Sequence, residues 1–233
     1  MNKLSIIMPV FNEEKTIVKI LDKLSKVKFR VDFEIIIVDD GSSDSSSKII
    51  KEYIKNSKKR KKFIFIQKEN GGKGSALRLG FKKAEGQAVI IQDADLEYNP
   101  EEINLLIKEQ EKKSADVIYG SRMLKSNPTS SWIYYLGNWF LSLTTSFLYG
   151  ARITDMETCY KLIPLKIIRE LCLISDRFDI EPEITAKLLK KGYKIKEIPI
   201  FYSPRSKKEG KKIGLKDGIE ALWQLVKWRF KRS

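Results

Sequence analysis

Phe33-Glu34-Ile35-Ile36-Ile37-Val38-Asp39-Asp40-Gly41-Ser42-Ser43-Asp44 decides how the rest of the chain is read. The Ile35–Val38 run suits a strand buried on both faces. An acidic pair then falls at the carboxyl end of that strand, where ligands sit in open α/β sheets. Gly41 allows a sharp turn, and Asp44 can cap the helix that follows. Taken alone, the segment is equally a turn with an N-cap.

Working outward, the same strand-then-helix alternation repeats. Strands are expected at Lys3–Met8, Phe33–Val38, Phe63–Gln67, Ala88–Gln92, Asp116–Gly120 and Lys194–Ile200. Helices are expected at Glu13–Leu24, Ser45–Asn56, Gly74–Ala84, Pro100–Lys112 with Asn99 as N-cap, Pro164–Leu173, Glu181–Lys191 and Gly214–Phe230. This is the pattern of an α/β domain with a mostly parallel central sheet flanked by helices. The expected organisation is one domain over 1–202, with a nucleotide-binding half (1–99) and an acceptor half (100–202). A basic amphipathic tail covers 203–233. Leu4–Val10 is too short for a secretory signal and is followed by Glu13 and Glu14, so a cytoplasmic location is expected.

The formal charge of the 233-residue chain is +15. Lys55–Lys62 holds six basic residues and no acid, and 203–233 holds ten against three. The remaining body is nearly neutral, which argues against a nucleic-acid binder. There is no histidine, so imidazole acid–base chemistry and His-ligated zinc are excluded. Two cysteines, Cys159 and Cys172, cannot build a disulfide framework. A metal would have to be held by carboxylates, which points to Mg2+, Mn2+ or Ca2+.

Residues 126–151 carry no charge. Their length would allow a membrane span. Asn138, Ser142, Thr144, Thr145 and Ser146 argue instead for an amphipathic helix against the core or at a bilayer surface. Trp223 and Trp228, interleaved with Lys227, Arg229, Lys231 and Arg232, suit a peripheral contact with the cytoplasmic membrane face. The alternative is a helix packed on the core with a solvated basic face.

Two further motifs carry chemistry. Asn70-Gly71-Gly72-Lys73-Gly74-Ser75 precedes a helix but lacks the glycine spacing of a Walker A loop. It reads as a basic loop near a nucleotide, or as a plain turn. Asp93-Ala94-Asp95 ends the apolar strand Ala88–Gln92, with Glu97 close behind. Two carboxylates spaced i, i+2 can turn toward one hard divalent cation.

Pro9-Val10-Phe11-Asn12-Glu13, the Val38–Asp44 segment, Asn70–Gly74, Asp93–Glu97 and Gly120-Ser121-Arg122 occur in that order. Together they resemble the family 2 inverting glycosyltransferases of GT-A fold, and most of all the dolichyl- or polyprenyl-phosphate sugar synthase branch. Asp155–Lys161, Phe178–Glu183 and Glu209–Gly218 extend the resemblance. It implies a nucleoside pocket from Pro9, Phe11, Glu13, Asp39 and Asp40, with Lys73, Asp93 and Ala94 on the nucleotide-sugar. It implies Mg2+ or Mn2+ on Asp93 and Asp95. Glu97 stands where the branch often has Gln as a further ligand.

Arg122 and Arg205 would meet phosphate oxygens, with Glu157 and Lys161 on the acceptor side. The implied partners are a nucleotide-sugar donor and a lipid-phosphate acceptor, without nucleic acid. An acceptor phosphate is already anionic and needs no base, which would leave Asp155 and Glu157 to hold the acceptor or orient Lys161 and Arg122, whereas a hydroxyl acceptor would make Asp155 the base. A sugar-nucleotide nucleotidyltransferase would need a Gly-rich N-terminal loop, and Pro9–Glu13 stands in its place.

Overall fold

The computed structural model describes residues 1–128, 132–205 and 215–231. Its strands are β1 (Lys3–Val10), β2 (Asp32–Asp40), β3 (Phe63–Lys68), β4 (Ala88–Ile91), β5 (Val117–Ser121), β6 (Lys161–Pro164) and β7 (Ile195–Pro199). They form one sheet in the order β3-β2-β1-β4-β6-β5-β7. All neighbours are parallel except at β6, which runs antiparallel to both β4 and β5. Six strands lie within two residues of their expected bounds. β6 was not expected: Lys161–Pro164 has only four residues, too few for a period to show.

The helices are α1 (Ile17–Lys26), α2 (Ser46–Asn56), α3 (Lys73–Lys83), α4 (Ile103–Glu111), α5 (Trp132–Tyr149), α6 (Leu165–Glu170), α7 (Ile180–Lys190) and α8 (Leu215–Phe230). Asn99 caps a 3-10 turn at Pro100–Glu102 by accepting from the Glu101 amide at 3.2 Å, and α4 continues from it. Asp44 caps α2 by accepting from the Ser46 amide at 2.9 Å.

Ile35–Val38 of β2 are fully buried, with Ile6, Ile7, Ile90 and Ile91 on the neighbouring strands. Burying each such side chain contributes about 1.5–3 kcal/mol. A second apolar cluster joins α5, α7 and α8 through Leu141, Ala186, Leu225 and Trp228. Trp228 is therefore a packing residue, because the Lys187 ammonium covers one face of its ring at 3.9 Å. This corrects its expected interfacial role. Trp223 is exposed. Among the described residues no helix is long and apolar enough to cross a membrane.

The topology gathers one edge. The chain turns from β1 toward β2 and β3 on one side and β4 on the other, so a crevice opens at the carboxyl ends of β1, β2 and β4. β5 and β7 run parallel to β4, so Arg122 and Tyr202 follow strand ends at the same edge. The antiparallel β6 starts there, which brings Asp155–Tyr160 to it as well.

Candidate active site

Two loops interlock at the ends of β1 and β2. Asn12 takes the left-handed conformation (φ 54°), which Asn tolerates better than most residues. Its carboxamide oxygen accepts from the Ser43 amide at 2.8 Å, and its own amide donates to Ser42 Oγ at 2.9 Å. Asp39 accepts from the Ser42 amide at 3.1 Å and from the Ser47 hydroxyl. Asp40 accepts from the Gly71 and Gly72 amides at 3.0 and 2.7 Å and pairs with Lys68 at 2.7 Å. The amides that a phosphate loop would offer a ligand are thus spent on Asp40. The glycines serve close packing: a Cβ on Gly74 would strike the carbonyl oxygen of Ser175. The Ser75 amide donates to the Asp176 carbonyl at 3.0 Å, fastening this loop to the segment before α7.

That fastening sets Lys73 between two acids. Its ammonium lies 3.0 Å from Asp93 Oδ1 and 3.4 Å from Glu181 Oε1. Burial opposes the charge, but Asp93 and Glu181 hold the amine above its ordinary range. Asp95 pairs with Arg205 Nη2 at 3.0 Å, and Arg205 Nη1 reaches Glu13 Oε2 at 3.1 Å. The Asp95 carboxyl is pushed up to about 7, by burial first and then by the charges of Asp93 and Glu97, against the pull of Arg205.

Between them Leu96 sits in the left-handed region (φ 66°), costly for a branched side chain. Glu97 turns away: its Oε2 accepts from the Tyr202 hydroxyl at 2.6 Å and its Oε1 from the Arg205 amide at 2.7 Å. The expected third ligand is therefore committed to the 202–205 segment. Among the described residues no three acids or thiols gather into a metal cage. The pair Asp93 and Asp95 does fit Mg2+ or Mn2+. Both are hard oxygen donors, and Mg2+ commonly takes one or two carboxylates and fills its shell with water and phosphate.

In the half expected to serve the acceptor, Asp155 is saturated. Its Oδ2 accepts from Arg122 Nε at 2.7 Å and from the Arg122 amide at 2.8 Å. Its Oδ1 accepts from Arg122 Nη2 at 2.7 Å and Asn138 Nδ2 at 2.9 Å. A carboxylate offers about four acceptor positions. Asp155 is thereby removed from the base role expected for a hydroxyl acceptor. Burial raises its pKa, but the Arg122 charge and hydrogen bonds, with Asn138, outweigh burial and hold it below the usual range. Glu197 accepts from the Thr154 and Asp155 amides at 2.8 and 3.0 Å and fixes the turn. The Arg122 guanidinium lies over the Tyr202 ring at 5.0 Å.

Lys161 does not meet the expected phosphate. It is 1% exposed, pairs with Glu181 and lies under the Tyr119 ring at 5.3 Å. Glu157 is partly exposed, and its Oε1 accepts no hydrogen bond among the described residues. Its carboxyl is pushed up to about 7 by burial, with Glu181 and Asp155 adding to the shift and Lys161 and Arg122 opposing it.

Pro9 and Phe11 flank the interlocked loops, and Ala94 is buried between the two aspartates. Residues 209–214 of the Glu209–Gly218 stretch lie outside the described residues. Three participants escaped the sequence reading as site residues: Glu181, Asn138 and Tyr202. Glu181 lay in the Phe178–Glu183 stretch without a role, and Asn138 left a signal as the one amide in α5.

Residues 5–172 match the sequence profile of Glycosyl transferase family 2. The chain is 34% identical to an uncharacterized protein of Methanocaldococcus jannaschii, over 82% of this chain and 84% of that one. It is 29% identical to a dolichol-phosphate mannosyltransferase of Pyrococcus furiosus, over 97% of this chain and 64% of that protein's length. A crystal structure of glucosyl-3-phosphoglycerate synthase from Mycobacterium tuberculosis with Mn2+, UDP and phosphoglyceric acid superposes with a TM-score of 0.72. That alignment covers 100% of this chain and 80% of the other at 16% identity, a likeness of fold. The expected GT-A architecture is borne out.

Proposed function

The chain belongs to glycosyl transferase family 2 and is a glycosyltransferase, and from that premise we propose that it moves a sugar, with inversion, from a UDP- or GDP-sugar to the phosphate of a polyprenyl acceptor. The observation that carries the acceptor assignment is the saturation of Asp155. A phosphate oxygen is already a nucleophile and asks no proton transfer of the protein. Arg122, oriented by Asp155 and Asn138 and partly exposed, is the group for that phosphate.

At the donor end, Asp93 and Asp95 would hold Mg2+ or Mn2+, whose charge stabilises the departing diphosphate. Lys73 and Arg205 add two fixed cations there. Glu13, Asp39 and Asp40 shape the nucleoside end by holding its loops and Arg205. Residues 1–99 supply most of the donor end, with Arg205 joining them from beyond residue 202, and 100–202 carry the acceptor-side pair of Arg122 and Asp155.

The outer face of α5 supports a lipid acceptor. Trp132, Leu136, Trp139, Leu143 and Phe147 recur at helical spacing and are 51–87% exposed. The inner face of the same helix sends Asn138 to Asp155. An aromatic surface of this kind suits peripheral contact with a bilayer. The basic end of α8, with Lys227 and Arg229, and Lys231 just beyond it, suits anionic headgroups.

A hydroxyl acceptor is the second reading, and Glu157 favours it as a base in place of Asp155: its carboxyl near 7 has an oxygen without a hydrogen bond. The pH dependence of turnover separates the two. A loss of turnover as pH falls through about 7 that disappears in Glu157→Gln supports the hydroxyl acceptor. A profile unaffected by that change supports the phosphate.

A further inference from the structure

Glu181 lies in the Phe178–Glu183 stretch without an expected role of its own, yet its carboxylate receives a lysine from each half of the domain. It lies in the first turn of α7, where the helix dipole favours an acid, and is 3% exposed. Its Oε2 holds Lys161, itself fully enclosed under Tyr119. Its Oε1 accepts no hydrogen bond among the described residues and faces the Lys73 ammonium at 3.4 Å. A buried carboxylate oxygen without a hydrogen bond is costly unless a nearby charge compensates it. Lys161 fixes the carboxylate from behind, so the second oxygen stays aimed at Lys73.

We infer that Glu181 is a positioning residue for the donor: it holds the Lys73 ammonium at the diphosphate end of the site. The assignment rests on the reading of the protein as a nucleotide-sugar transferase. Lys73 has two acidic neighbours, Asp93 and Glu181, and under the proposed function Asp93 is the one that would turn to the cation. Glu181 is the partner that can keep the ammonium in place while Asp93 serves the donor. The loop geometry fits this division, since the Ser75 amide and Gly74 bind the Lys73 loop to the turn ahead of α7. Lys73 and Glu181 are thus set on one rigid junction.

The test is a double-mutant cycle on the full chain, read as the dissociation constants of UDP and GDP in the presence of Mn2+ by calorimetry. Glu181→Gln is expected to weaken the nucleotide that binds by about tenfold or more, and Lys73→Met similarly. The double variant is expected to bind no more weakly than Lys73→Met alone, because Glu181 acts through Lys73. In turnover, donor KM rises in Glu181→Gln and acceptor KM does not. A Glu181→Gln affinity within twofold of the parent, or effects that add in the double variant, overturns the inference while leaving the transferase reading intact. Parent protein that binds neither nucleotide overturns both. If Glu181→Gln alone does not fold, Lys161→Met becomes the parent of the cycle, so that adding Glu181→Gln leaves the buried pair as neutral groups.

Discussion

Arg122 and Asp155 form a two-pronged pair, Nε and Nη2 each 2.7 Å from a different carboxylate oxygen, with Asp155 fully enclosed. The pair couples an immobile anion to a cation that reaches the crevice. Breaking a buried pair from one side leaves an uncompensated charge, at about 3–5 kcal/mol. Asp155→Asn is therefore expected to lower stability by about that amount in chemical denaturation. It should also raise acceptor KM more than donor KM.

The same pair sets a low-pH limit. The folded Asp155 carboxyl lies below its unfolded value of 3.8. Its stabilisation is therefore present above pH 3.8 and is lost as pH falls further, through the folded value. Thermal unfolding followed from pH 5 to pH 2 should show a stability loss in the parent that is smaller in Asp155→Asn.

Glu157 works in the opposite sense. Its carboxyl is raised from 4.5 to about 7 in the folded protein, so the native state binds the extra proton between those values. Stability should decline as pH rises from about 4.5 to about 7 and level off above that. Glu157→Gln should remove this decline and gain on the order of 1–3 kcal/mol at pH 8 relative to the parent.

Gly74→Ala tests the junction that carries Lys73. The added methyl meets the Ser175 carbonyl, so the loop must move away from α7. A destabilisation of about 1–3 kcal/mol is expected. Weaker nucleoside-diphosphate binding should accompany it, measured by calorimetry.

The outer face of α5 can be tested apart from catalysis. Trp132→Ser, Trp139→Ser and Phe147→Ser together should reduce co-sedimentation with anionic phospholipid vesicles several-fold. Transfer to a short, water-soluble isoprenyl phosphate should be unaffected, because these side chains point away from Asn138 and Asp155.

The crevice at the ends of β1, β2 and β4 was largely legible in the chain because strand, turn and cap signals fall within a few residues of one another. Asp39, Asp40, Asp93 and Asp95 could each be placed at the end of an apolar run, and the sheet brings those ends together. The acceptor side was less so. Lys161 reads as a free cation in sequence, and only the fold shows that Glu181 and Tyr119 enclose it. The resemblance makes Glu97 a further ligand, but beyond the left-handed Leu96 its carboxylate goes to Tyr202 and the Arg205 amide. For Asp155 the sequence leaves open a base and an orienter of Arg122, and only the hydrogen bonds from Arg122 and Asn138 favour the second. Each of these depends on partners distant in the chain, which local pattern does not encode.

The most direct test of the account is product analysis with purified protein, a UDP- and GDP-sugar panel, Mg2+ or Mn2+ and a polyprenyl phosphate. The account predicts a glycosyl polyprenyl phosphate and free nucleoside diphosphate. Omitting the phosphate acceptor or adding excess chelator should abolish the product, and Asp93→Ala or Asp95→Ala should reduce it at least a thousandfold, on the order of 4 kcal/mol in the barrier. Undiminished transfer in chelator, or glycosylation of a hydroxyl acceptor with the polyprenyl phosphate left untouched, would contradict it.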